Sequence, residues 1–536
     1  MNQRNFKRRA HLHIWGLLSL LATAAPGALA QLTDVTQTTP NVPGGAIGKS
    51  LQEQIGAGRG DANTPGSSLY LIKRDPARSI RRGRQLFQRK FTLEQGLGPR
   101  VSAQSTGNIH DNAALGAGLA DSCAGCHGRP RGSAGFGGDV ATQPDSRDAP
   151  HLFGLGLTEM LADEITTDLR AIRGQAIQQA ASTGVPVTLE LQSKGIHYGA
   201  IQAQADGALD TSKVVGVDPD LRVRPFFHDG REFSIRAFAV GAFKDEMGLQ
   251  AADPVLCQAS DPAAPKPAAS PAGLMLNPST DKIARPPVCN KDEDGDGVVN
   301  EVDAALIDHM EFYLLNYFKP GTGKRTFNME FGRQIMHQIG CTDCHVPDLT
   351  IQHDRRVADV ETHFDPKQGI FNRLFATVTP LFDVVPDGQS YPQVVPKGGS
   401  FTVKNFFSDL KRHDLGPQFH ERKYDGSLTK LFVTEPLWGV GSTAPYGHDG
   451  RSINLEEVIL RHGGEAENAK QAFAALPASA RNRVLAFLST LVLFPPDDTA
   501  SNLNPGKPGT ANPQDPAEHG SIHLGALFQI PSEGPE

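Results

Sequence analysis

The chain has 536 residues, of which 21% are charged and 39% hydrophobic, and a formal net charge of −7. That length allows two or three domains, and the acidic balance argues against nucleic acid as a partner. Glycine (56) and proline (39) are abundant while tyrosine (7) and tryptophan (2) are few, which predicts short helices joined by long loops. Continuous period-two strand patterns are scarce.

Residues 1–30 read as a cleaved export signal. Arg4, Lys7, Arg8 and Arg9 make a basic n-region, Ile14 to Ala25 an apolar core, and Ala28-Leu29-Ala30 a small-x-small cleavage site. The apolar stretch is too short to span a bilayer with margin. No later segment is a transmembrane candidate, so the expected location of the processed chain is the periplasm. Residues 31–79 form an N-terminal extension.

Three markers then recur in order. Gly83-Arg84-Gln85-Leu86-Phe87 is matched by Gly332-Arg333-Gln334-Ile335-Met336. Cys123-Ala124-Gly125-Cys126-His127 is matched by Cys341-Thr342-Asp343-Cys344-His345. Pro225-Phe226-Phe227-His228-Asp229-Gly230-Arg231 is matched by Pro445-Tyr446-Gly447-His448-Asp449-Gly450-Arg451. From His127 to His228 is 101 residues, and from His345 to His448 is 103. Matched order and spacing predict two homologous domains in tandem. The Cys-x-x-Cys-His pentapeptide is the c-type haem attachment pattern. Its thiols add across the haem vinyl groups, and the following histidine becomes an axial iron ligand. Two copies predict two covalent haems c, held by Cys123, Cys126 and His127 and by Cys341, Cys344 and His345, and hence a redox function.

Residues 254–287 are Pro/Ala-rich and read as a surface insertion. Cys257 and Cys289 flank it, and an oxidising compartment favours a disulfide between them, worth about 3 kcal/mol through restriction of the unfolded chain. Asp292-Glu293-Asp294-Gly295-Asp296-Gly297 opens an EF-hand-like loop, with Asp292, Asp294, Asp296 and Asp303 as candidate calcium ligands. Asp303 stands where glutamate is usual. A helical pattern (Ala304, Leu306, Ile307, Met310) follows.

In the second repeat Asn454 is a good N-cap, with Glu457 completing a capping box. Leu455, Val458, Ile459 and His462 then fall on one stripe. This makes His462 the candidate sixth ligand of the second haem, with His448 as runner-up. His448 to His462 is 14 residues, and the same step from His228 reaches Ala242, which cannot ligate iron. The first haem therefore takes another ligand (His151, Met160, His197 and His228 are candidates) or keeps an open position for small-molecule chemistry. Residues 496–536 are rich in Pro, Gly and Asn and read as an extended tail.

Several of these segments resemble the di-haem oxidoreductase family, also labelled thiol oxidoreductases. They are Gly83 to Phe87, Phe91-Thr92, Gln95 to Pro99, the first pentapeptide, Leu152-Phe153-Gly154-Leu155-Gly156-Leu157, Pro436 to Gly441, the His448 motif, and His462-Gly463-Gly464-Glu465-Ala466. The resemblance covers roughly residues 80 to 495. The "thiol" label has no support in the residues, since haem would consume the four Cys-x-x-Cys thiols. The family is similar to the bacterial di-haem cytochrome c peroxidases, which have a peroxidatic N-terminal haem and an electron-entry C-terminal haem. The resemblance implies a ligand at the position of His462. It also implies a bridging residue at His228, where those enzymes carry tryptophan, and a catalytic glutamate at Glu246 within Glu246-Met247-Gly248.

These readings give a mainly α chain of two tandem cytochrome-c-like haem domains, with long loops and few short strands. The expected bounds are 80–253 for the first haem domain, 254–303 for the insertion and calcium loop, 304–495 for the second haem domain and 496–536 for the tail. The expected function is an oxidoreductase passing electrons through the second haem to a reactive first haem. Its partners would be a small redox protein or a quinol-linked donor or acceptor, and peroxide, oxygen or a small organic substrate. The alternative is a pure electron carrier with both irons six-coordinate.

Overall fold

The computed structural model describes residues 51–91, 122–127, 145, 147–283, 289, 298, 300–322, 325–364, 374–423 and 425–493. The export signal, the tail, and Asp292, Asp294 and Asp296 of the calcium loop lie outside them.

A mainly α, cytochrome-c-like chain with few strands is not what forms. Among the described residues 38% are helix and 16% strand. Seventeen short strands among the described residues pair into one three-stranded and seven two-stranded sheets. Most strands are two to four residues long, too short for alternation to register in the sequence. One hairpin does carry the signal. Val187–Ser193 pairs antiparallel with Ile196–Ala203, and Lys194 and Gly195, at φ 49° and 79°, make the left-handed two-residue turn that a twisted hairpin requires.

The repeat is visible in the helices. The Pro76–Gln88 helix packs on Ala304–Leu315, and Phe327–Gln338 packs on Ala478–Leu488. Each contact is made through the glycine of the Gly-Arg-Gln marker. A methyl group at Gly83 would overlap the His309 carbonyl, and one at Gly332 the Arg483 carbonyl. The third marker repeats its backbone as well. Phe226 bridges Glu232 and Tyr446 bridges Ser452. Ser234 and Asn454, each six residues past the motif histidine, cap the Ile235–Met247 and Leu455–Arg461 helices by accepting from Ala237 N and Glu457 N.

Within the first half runs the 29-residue Leu155–Thr183 helix. The glycines of the Leu152–Leu157 motif set its entry. Gly154 lies against the Trp438 ring and Gly156 against the Leu315 carbonyl, with no room for a side chain at either. Arg236 is fully buried and pairs with Asp253 at 2.5 Å, Asp308 at 2.9 Å and Glu311 at 2.7 Å. This network ties Ile235–Met247 to Ala304–Leu315. The expected Cys257–Cys289 disulfide is present. Asp303 is the N-cap of Ala304–Leu315, its carboxylate accepting from Ala305 N at 2.8 Å.

The helix crossings predict opposite effects for two glycines. Gly332→Ala should destabilise the protein by about 1–3 kcal/mol through overpacking. Gly174, mid-helix with open space beside it, should gain about 0.5–1 kcal/mol as alanine. Chemical denaturation of the two variants checks both signs.

Candidate functional site

The first pentapeptide forms the short Cys123–His127 helix, with Ser122 accepting from Gly125 N at its start. Cys123 packs on the core of the first half, and burial pushes its thiol up to about 12. The second pentapeptide begins as the Cys341–Asp343 3-10 turn after Gly340, and burial pushes Cys341 up to about 11.

The two motif histidines are oriented in the same way. His127 Nδ1 donates to the Pro150 carbonyl at 2.7 Å, and His345 Nδ1 to the Phe407 carbonyl at 2.9 Å. Burial lowers the pKa of both, favouring the neutral ring. With Nδ1 carrying the proton, Nε2 keeps its lone pair, which is how a metal-binding histidine is held. Two thiols and one such Nε2 per motif are the donor set a covalently attached haem needs, so the residues fit the group.

His462 repeats the arrangement. Its Nδ1 donates to Val458 O at 2.7 Å. Its pKa falls to about 4, chiefly through burial. The predicted stripe is cut short, because the helix ends at Arg461 and His462 is its C-cap. Gly463 and Gly464 follow, Gly464 in the left-handed region. The matching Ala242 sits inside a longer helix, Ile235–Met247.

The four alternative ligands of the first half are placed as follows. His151 spends both ring nitrogens, Nε2 on the Trp438 carbonyl and Nδ1 on Phe153 N. The Met160 sulfur accepts from Arg355 N within the core. His197 is exposed on the Ile196–Ala203 strand. His228 Nε2 faces Glu421 at 2.7 Å.

His228 and His448, the equivalent histidines of the two halves, stack on each other with ring centres 5.0 Å apart and planes 6° from parallel. Phe432 stacks on His448 at 4.2 Å. Phe419 joins His448 at 6.1 Å to His462 at 5.4 Å. A chain of rings therefore runs from the meeting point of the repeats to the candidate ligand of the second haem. The segment that anchors His127 is braced against the same place. Asp145 pairs with Arg422 at 2.6 Å, Arg147 with Glu421 at 2.8 Å, and Asp148 N donates to the His448 carbonyl.

Glu246 is half-buried in the last turn of Ile235–Met247. His228 reaches the junction between the halves. Trp438 is a core residue, donating to Lys404 O and edge-on to Phe406. The Tyr446 hydroxyl donates to Val440 O. Arg231 pairs with Asp229, and Arg451 with Asp449.

Sequence reasoning missed Glu421, Phe419, Phe432, Asp409 and His413, which belong to no motif and reach the site through long-range packing. Glu421 is buried between the His228 ring and the Arg147 guanidinium. Burial opposes its ionisation, but His228 and Arg147 hold its carboxyl below the usual range. Glu421→Ala should cost about 3–5 kcal/mol, as expected for removing one partner of a buried charge cluster. Glu421→Gln should cost less, and thermal denaturation separates the two.

No curated protein sequence matches the chain. Residues 396–491, which contain Phe407, His448 and His462, match the family described as "Di-haem oxidoreductase, putative peroxidase", the family that the sequence motifs resemble.

Proposed function

We propose that the chain is an exported di-haem oxidoreductase in which electrons arrive at a haem held by Cys341, Cys344, His345 and His462. They pass to a haem held by Cys123, Cys126 and His127. The observation that carries this reading is the shared tautomer of His127, His345 and His462, each with Nδ1 on a backbone carbonyl and Nε2 left for iron. Iron in these sites supplies one-electron redox chemistry and, at an open coordination position, reduction of a small oxidant.

The chain's own residues divide the work unequally. His462 would close the second site as a second histidine ligand beside His345, which would suit that site to relaying electrons. The first half has Ala242 at the equivalent position and commits both nitrogens of His151, which favours an open side for peroxide, oxygen or a small organic molecule. Glu246 would take a proton from bound peroxide and return it to the leaving oxygen. His228, stacked on His448 where the two repeats meet, would line the electron path. The donor would be a small redox protein or a quinol-linked carrier on the periplasmic side. No helix among the described residues is long and apolar enough to cross a membrane. Calcium in the Asp292 to Asp303 loop would bind as a structural ion ahead of the Ala304–Leu315 helix.

Cyanide titration of the oxidised protein tests this division. The expected outcome is one equivalent bound, shifting part of the Soret band, and two equivalents in His462→Ala. A wild-type protein that binds none is the pure electron carrier, and one that binds two makes His462 no ligand.

A further inference from the structure

Beside the second pentapeptide is a charge cluster with no part in the function proposed above. His413 lies on the short Arg412–Asp414 strand, paired with Leu431–Val433, and is 6% exposed. Its Nε2 meets Asp409 Oδ2 at 2.9 Å, and its Nδ1 meets Glu465 Oε2 at 2.7 Å. The second oxygen of each carboxylate is also occupied. Asp409 Oδ1 accepts from Lys411 N, and Glu465 Oε1 from Asp414 N. A carboxylate whose two oxygens both accept from N–H groups is ionised, and a ring flanked by two such acceptors donates from both nitrogens. Imidazole is a stronger base than either carboxylate, so the shared protons sit on His413: burial opposes the charge, but the Asp409 carboxylate outweighs it and raises the ring to about 11, an imidazolium.

Two features give this cation a role. The reacting atoms of Cys344, Asp409 and His413 all lie within 4.8 Å of one another, so the charge abuts the sulfur that attaches the second haem. Its two partners also belong to the segments that hold the axial histidines. Asp409 is two residues from Phe407, whose carbonyl anchors His345, and Glu465 is three residues from His462. Gly463 N donates to Leu415 O, closing the same clamp. As a metal site the cluster is spent, because both imidazole nitrogens donate to carboxylates.

We propose that His413 is a positioning and potential-setting residue of the second haem: its fixed positive charge, clamped between Asp409 and Glu465 beside Cys344, favours the reduced iron. The assignment rests on the haem reading of the second pentapeptide. No electron or proton is exchanged with His413, which acts through charge alone.

The test is a spectroelectrochemical titration of full-length, haem-loaded wild type, His413→Gln and Glu465→Gln. Losing the cation should lower the reduced-to-oxidised ratio of the second haem about tenfold at fixed potential, about 59 mV for a one-electron couple. Losing the half-exposed carboxylate should raise that ratio, and the first haem should move in neither variant. Opposite shifts with both spectra still low-spin establish an electrostatic role. Shifts of the same sign, no shift, or loss of the low-spin signal overturn it. If His413→Gln yields no loaded protein, Glu465→Gln alone decides, by a rise or its lack. A wild type without covalent haem defeats the haem reading itself, a failure visible before any titration begins.

Discussion

A hydrogen bond from imidazole Nδ1 to a backbone carbonyl is the constraint on which the site depends. It is made by His127, His345 and His462 on the carbonyls of Pro150, Phe407 and Val458. It fixes the tautomer, the ring plane and the nitrogen offered outward. The fold has to deliver those carbonyls. Phe407 does so from a backbone with φ 56°, between Asn405 at 56° and Leu410 at 56°, a left-handed conformation that costs non-glycine residues about 1–2 kcal/mol. Complete burial of the Phe407 ring, its edge-on contact with Phe487 and the Arg333 guanidinium over its face hold it there. Strain offset by packing beside a candidate site is where a functional requirement shows in a backbone.

The two halves share this device but differ in how a helix ends. After the third marker both begin a capped helix at the same register. In the second half Gly463 and Gly464 stop it, so that His462 leaves the helix and turns its ring back onto the Val458 carbonyl. In the first half the chain runs on to Met247 and ends at Gly248 in the left-handed region. One repeat thus presents a histidine where the other presents a methyl group.

Features carried by local chemistry were legible in the sequence. The pentapeptides, the repeat, the Asn454 cap and the Cys257–Cys289 disulfide depend on neighbouring residues or on a short list of cysteines. The sheet content was not legible, because strands such as Arg412–Asp414 and Leu431–Val433 are three residues each and are specified by pairing partners far away. The same holds for the charges around the site. Glu421 and Arg147 are 274 residues apart, and nothing local marks either as the other's partner. His413 carries no motif; Asp409, four residues before it, raises its pKa, and a turn 52 residues later brings Glu465 to its other nitrogen. The Lys194-Gly195 hairpin is different: its turn residues and the alternating Leu189, Leu191, Ile196 and Tyr198 carry a local signal, but the hairpin was not identified from the sequence.

The most direct measurement of the central claim is the intact mass of the purified, exported protein under denaturing conditions. The account predicts a chain beginning near Gln31 that carries two haem masses, falling to one when Cys123 and Cys126, or Cys341 and Cys344, are replaced by serine. A colourless protein with the mass of the bare polypeptide would contradict it.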